Sequence, residues 1–233
     1  LTLLLLTYLV RRRRRLCIST SSVCAHGGID PIFSANPIAF VAPADGYPIL
    51  FDISMCITAG GYVSRAHRAG EKMTGKYLKD NQGKITDDPG AFFADPPGSI
   101  LPIGGVSHGY KGYALTMLTE LLSMALGGYG RANDSSDDGE ANSVFIQIID
   151  PEAFGSLEDF KKQTNAIKLL CENSRSNETK SSVRVPGQRA WHSRQQQLKD
   201  GVELYPTIMQ DLSIWADRLN IKLPSPTTQT SNH

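Results

Sequence analysis

The sequence predicts a mixed α/β fold that ends in helices, and not a doubly wound parallel sheet. Three observations carry this. Two short β-prone runs, Ile38–Ala42 and Pro48–Ile53, flank Pro43-Ala44-Asp45-Gly46, the pattern of two strands joined by a tight turn. The strongest helical periodicity, Ala114, Leu115, Leu118, Leu121, Leu122 and Ala125, comes after a glycine-rich stretch and stops at Gly127-Gly128. Strands and helices alternate throughout without the regular strand-helix-strand period that a parallel sheet needs.

The other elements follow in chain order. Leu1–Val10 is apolar and Arg11–Arg15 is basic, the reverse of a secretory signal. Ten residues are also too few for a bilayer core that needs about 20. Residues 1–22 are therefore expected to be a disordered leader outside the fold; the other reading of the arginine block is a basic tail that touches nucleic acid or acidic lipid. Ile57–Ala69 tolerates a weak helix. Asp80-Asn81-Gln82-Gly83 and Asp87-Asp88-Pro89-Gly90 mark a polar loop with two turns, where little core is expected. Pro96-Pro97-Gly98 stops any helix through Phe92 and Phe93. Asn133–Asn142 is acidic and serine-rich, a surface loop before a strand over Val144–Ile149 that Asp150-Pro151 ends.

Ser156 is placed to cap a helix whose face is Leu157, Phe160, Thr164, Ile167 and Leu170. After a polar break at Glu172–Ser182, two helices fit Gln188–Lys199, closed by Gly201, and Pro206–Leu219. In the second, Ile208, Leu212, Trp215 and Leu219 form a stripe expected to face a core. The expected layout is one domain over 23–223 and a disordered tail over 224–233.

Composition narrows the function classes. Lys and Arg total 24 against 23 Asp and Glu, a net charge of +1, so no global field recruits nucleic acid or repels an acidic substrate. The four cysteines, Cys17, Cys24, Cys56 and Cys171, show no metal-ligand spacing. They read as reduced thiols in a reducing compartment, so a cytoplasmic protein with no metal, nucleic-acid or membrane partner is expected.

Chemistry concentrates in Gly104-Gly105-Val106-Ser107-His108-Gly109-Tyr110-Lys111-Gly112, which leads into the strong helix. Helix-start N–H groups with a nearby lysine suit a phosphate or carboxylate, and glycines allow close approach of a ligand. The other reading is a plain turn with a solvated lysine. A Walker A loop is ruled out because Tyr110 and Gly112 flank Lys111, and the Rossmann fingerprint because Gly128-Tyr129-Gly130 follows a helix. Gly105-Val106-Ser107-His108-Gly109 matches the G-x-S-x-G elbow of serine hydrolases, with Asp150 and His192 following in the required order. Pro102, however, interrupts the strand that an elbow needs.

Five segments in order resemble the malate/L-lactate dehydrogenase family, which includes ureidoglycolate and sulfolactate dehydrogenases and cyclic imino-acid reductases. Ser34–Phe40 resembles its Gly-Thr-Asn-Pro-Ile-Ala-Phe, and Phe51–Ser54 its Leu-Asp-Met-Ala/Ser. Asp80–Gly83 with Thr86–Pro89 resembles its Asp-x-x-Gly-x-x-Thr-x-Asp-Pro loop. Leu101–Gly105 through Lys111–Leu115 resembles its Leu-Pro-x-Gly-Gly and His-Lys-Gly-Tyr-Gly-Leu, and Val185–Arg189 its Leu-Pro-Gly-Glu-Arg. The resemblance covers about Val23 to Ile221. It implies a sulfolactate-dehydrogenase-like, non-Rossmann fold, NAD or NADP as cofactor, a small 2-hydroxy or 2-oxo acid as substrate, and a homodimer. By position it implies Asn36, Pro37, Asp52, Lys111 and Gly112 as cofactor-binding residues and His108 on the substrate side. The plain alternatives are a strand-end cap for Asp52 and an ordinary turn for Asn36-Pro37.

Two departures stand out: Ala35 replaces the usual Thr, and Tyr110 the usual His, for which His108 is the candidate substitute. His26, His67 and His192 have no motif support and read as surface or packing residues. The family's Ser-His-Gly segment, its carboxylate-gripping Arg and its proton-exchanging His are not visible before Val23, so no catalytic residue is assigned. The chain is expected to be an impaired, N-terminally truncated dehydrogenase; a degraded interaction module is the alternative from another class.

Overall fold

The computed structural model describes residues 21–128, 143–177, 182–204 and 206–225. The arginine block, the Asn133–Asn142 loop and the end of the tail lie outside the described residues. Two compact units are described in turn, one of residues 1–40 and 51–154 and the other of 41–50 and 155–233.

The first unit holds a five-stranded mixed sheet of very short strands: β1 (Val23–Cys24), β2 (Pro31–Phe33), β5 (Leu78–Lys79), β6 (Ile85–Thr86) and β7 (Ser99–Ile100), in the order β2-β1-β7-β5-β6. β1 and β7 run parallel, and the other pairs antiparallel. Ile100 stands opposite both Val23 and Leu78, so the three central strands put one buried apolar side chain each in a row. Full burial of such a side chain contributes about 1.5–3 kcal/mol. Val63 and Ala66 of helix α1 (Gly60–Ala69) pack on this row with Phe33, Cys56 and Met73. Gly70 ends α1 in the left-handed conformation, which glycine adopts at no steric cost.

Over Asp80–Gly90, expected as a polar loop with little core, only Pro89 is buried; Met73 and Leu78, just before it, join the core, and Asp80–Lys84 is the turn of the β5–β6 hairpin. Asp80 Oδ1 accepts the backbone N–H groups of Gln82 and Lys84 at 2.9 and 2.8 Å. Strands of two residues are too short to show alternation. Asp88 caps the short 3₁₀ turn Pro89–Phe93, its carboxylate accepting the Gly90 N–H.

Helix α2 (Gly105–Glu120) begins nine residues before the predicted stripe and buries a different face. Gly105, Gly109, Gly112 and Thr116 are buried, whereas Leu115, Leu118 and Leu121 are exposed. The reason is close approach. A Cβ on Gly112 would meet the backbone N and O of Ile103 at 2.5 Å, and one on Gly109 would meet Pro102 at 3.2 Å. The helix widens into a π turn over Leu121–Ala125 before Gly127-Gly128. Val144–Ile149, expected as a strand, pairs with no described residue; Val144, Ile148 and Ile149 are well exposed, so its apolar pattern has no partner to satisfy there.

Strands β3 (Ile38–Ala42) and β4 (Ile49–Ile53) form the predicted hairpin, with Phe40 and Phe51 stacked at 5.5 Å. Its tip, 41–50, belongs to the second unit with α3 (Leu157–Glu172), α4 (Gln188–Asp200) and α5 (Pro206–Leu219). Ser156 caps α3 by accepting the Asp159 N–H at 2.9 Å, as expected. The buried positions of α3 are Thr164 and Lys168, while Ile167 and Leu170 are exposed. The tip explains that shift. Thr164 donates to the Pro43 carbonyl, Lys168 Nζ donates to the Asp45 carbonyl at 2.7 Å and lies 3.5 Å over the Tyr47 ring, and Lys161 pairs with the Asp45 carboxylate. Polar contacts to a turn outrank the apolar stripe. Lys161 holds the Asp45 carboxyl below its ordinary range, and burial, with Glu172 against the hydroxyl, pushes the Tyr47 phenol up to about 12. In α5, Leu212, Trp215 and Leu219 are exposed, and Trp215 carries Arg218 over its ring.

Candidate functional site

Three segments that lie far apart in sequence are tied by a chain of backbone hydrogen bonds in the first unit. Met55 N–H donates to Ala35 O at 2.8 Å, Ile103 N–H to Met55 O at 3.0 Å, and Gly112 N–H to Ile103 O at 3.2 Å. Ile57 N–H adds a bond to Leu101 O. The turn at Asn36, the stretch just after Asp52 and the start of α2 thus form one scaffold, with Met55 buried at its centre.

Asn36 sits at φ 41°, a left-handed conformation that Asn tolerates better than most residues. Its Oδ1 accepts from the Ser34 hydroxyl, and its Nδ2 donates to Glu120 Oε1 at 2.9 Å. The side chain is therefore committed within the fold and clamps the turn to the far end of α2. Lys111 lies nine residues before Glu120, about 13 Å along the helix at 1.5 Å per residue. Pro37 and Asp52 are exposed, and Asp52 lies three residues before the Met55 junction. Although Ala35 lacks the hydroxyl of the family pattern, its carbonyl anchors the scaffold.

At the helix entrance the glycines serve packing. Gly104 and Gly105 take positive φ, 95° and 60°, to turn the chain from β7 into α2. Gly112 is buried against Ile103, so its backbone offers no surface for a ligand to approach. Lys111 and His108 are exposed, and neither forms an ion pair with a described residue. His108 breaks the helical geometry at φ −128°, ψ 15°. Ser107 lies within the first turn of α2, does not itself take positive φ, and hydrogen-bonds no described side chain, so the strained serine and the partner that define a nucleophile elbow are lacking there. Asp150 caps its own short turn through Glu152 N–H, and His192 meets the Tyr47 ring edge-on.

Sequence reasoning missed one neighbour. His26, given no role, places its ring 5.9 Å from Tyr110. No local signal announces this, because it arises from the parallel pairing of β1 with β7. A shallow groove along α3, lined by Asp45, Leu157, Lys161, Asn165 and Leu169, lies in the second unit and holds none of the residues above. Among the described residues no three His, Cys, Asp or Glu side chains gather to hold a metal, and no helix is long and apolar enough to cross a membrane.

A dinucleotide asks for a cation near its phosphates and an acceptor for ribose hydroxyls. The Lys111 ammonium and the Asp52 carboxylate are exposed and fit that demand. Gly112 and the Asn36 side chain fit it as supports, not as contacts.

The profile of the malate/L-lactate dehydrogenase family matches residues 15–213. A malate dehydrogenase from Pyrococcus abyssi is 29% identical over 206 residues, 86% of this chain and 56% of its own length. Among solved structures, a malate dehydrogenase from Entamoeba histolytica superposes with a TM-score of 0.74 at 24% identity, over 88% of this chain and 60% of its own. A sulfolactate dehydrogenase from Methanocaldococcus jannaschii gives 0.67 at 26%, over 86% and 57%. The chain thus spans a little over half the length of the relatives it matches.

Proposed function

This chain belongs to the malate/L-lactate dehydrogenase family, with a sulfolactate-dehydrogenase-like fold, and from that premise we propose that it is the cofactor-holding part of an NAD(P)-dependent oxidoreductase. The reaction interconverts a small 2-hydroxy acid and its 2-oxo acid, in a cytoplasmic homodimer. The bound nicotinamide supplies the hydride acceptor and donor. Lys111 neutralises the cofactor's phosphates, Asp52 accepts from a ribose hydroxyl, and Asn36, Pro37 and Gly112 hold those two in place. His108 faces the substrate carboxylate. Loss of hydride from a carbinol carbon requires loss of the hydroxyl proton, usually to a histidine. No residue here is assigned that task.

The observation that supports this reading is the hydrogen-bond chain Ala35–Met55–Ile103–Gly112, which ties together the backbone of the segments that the resemblance singles out. Titration calorimetry of NADH and NADPH into the chain tests it. Binding of at least one is expected, and Lys111→Ala should weaken it by about ten- to a hundredfold, since a hydrogen bond to a charged group contributes about 1.5–3 kcal/mol. Absence of binding by both nucleotides, or indifference to Lys111→Ala, refutes the reading.

A further inference from the structure

We propose that His26, His108 and Lys111, gathered round Tyr110, form an oxyanion-binding site in which His26 is a further ligand-contacting residue. The proposal deepens the dehydrogenase reading, on which it rests for the identity of the anion.

Topology brings the groups together. β1 and β7 are parallel neighbours with Val23 opposite Ile100, so both chains leave the sheet at the same edge. His26 lies two residues beyond β1, and the segment beyond β7 runs through Gly104 into α2.

Geometry completes the case. The His26 ring meets the Tyr110 ring edge-on at 5.9 Å, His108 lies 6.3 Å from the same ring, and Lys111 Nζ lies 5.9 Å from its centroid. A Cβ on Gly109 would stand 3.0 Å from His26 Nδ1, so the imidazole lies directly on the first turns of α2, where a side chain would push it away. His26, His108, Tyr110 and Lys111 are all exposed, and no described carboxylate hydrogen-bonds or pairs with any of them. Imidazole N–H groups, a phenol and an ammonium, with no carboxylate among them, form a donor-rich, cationic set, and an oxyanion satisfies it. In this family a phosphate of the dinucleotide and the carboxylate of the acid both present that chemistry.

The test is NMR of the histidine rings in the full chain, titrated separately with inorganic pyrophosphate and with oxalate. His67, stacked on Phe93, and His192, against Tyr47, serve as internal references. His26 and His108 should shift along a saturable curve with at least one anion while the references stay still. His26→Gln should weaken that anion at least fivefold. A response to pyrophosphate alone identifies the phosphate source, and one to oxalate alone the carboxylate. If neither anion moves His26, or His26→Gln binds as the parent does, the proposal is overturned. A parallel NADH titration separates the two readings. NADH binding with His26 silent to both anions overturns this site and leaves the cofactor reading standing; anion binding at His26 without NADH binding does the reverse.

Discussion

Replacing Gly112 with Ala asks whether the glycines at the α2 entrance exist for packing or for a ligand. In a helix interior, Ala is favoured over Gly by about 1 kcal/mol. Against that gain, the new Cβ would stand 2.5 Å from both N and O of Ile103 and 2.9 Å from its Cα. These are backbone atoms, and Gly112 N–H donates to that same Ile103 O, so separation sacrifices the bond. Overpacking costs about 1–3 kcal/mol and the bond about 1. The helix gain offsets roughly one of these, leaving a net loss of about 1–3 kcal/mol. In a chain of this size each kcal/mol lowers Tm by about 2–4 °C. Far-ultraviolet circular dichroism is the suitable probe, since both tryptophans, Trp191 and Trp215, lie in the second unit. Gly61→Ala in α1 is the control: no atom lies within 4 Å of its Cβ position, so it should stabilise by about 0.5–1 kcal/mol. If Gly112→Ala is as stable as the parent, yet binds NADH more weakly, the packing argument is wrong and the ligand explanation holds.

Two further expectations concern the second unit. Ser156→Ala removes the acceptor of the Asp159 N–H and should cost about 1 kcal/mol, read from urea unfolding; an unchanged midpoint refutes the cap. Tyr47 ionises at about 12 in the folded chain against the ordinary 10, so the unfolded state loses its proton first as pH rises. The stability tied to this phenol is therefore complete below pH 10 and lost as pH climbs towards 12. Unfolding midpoints across that window should fall more steeply for the parent than for Tyr47→Phe; equal slopes remove Tyr47 as the cause.

The β3–β4 hairpin, the Ser156 cap and the two C-terminal helices were legible in the sequence because each carries a local signal: a turn residue, a capping hydroxyl, a terminal glycine. The faces of the helices were not. Periodicity in α2 marks its leucines, yet the face buried in this chain is Gly105, Gly109, Gly112 and Thr116, because contact with Ile103 demands the absence of side chains. In α3 the tip of a distant hairpin selects Thr164 and Lys168 over Ile167 and Leu170. At the site, the resemblance singled out Asn36 and Lys111, and the structure puts both on one scaffold. The approach of His26 to Tyr110 depends on a strand pairing between residues more than seventy positions apart, which no local pattern encodes.

The run of amides through Met55, Ile103 and Gly112 has a mechanical consequence. Since each link uses up the carbonyl of the one before, the loop at Asn36 cannot drift without dragging the head of α2 along. A ligand spanning both therefore meets a surface already set, and less of its binding energy is spent on immobilising loose chain. Stiffness here comes from three ordinary peptide contacts round a sequestered methionine, with no covalent staple needed.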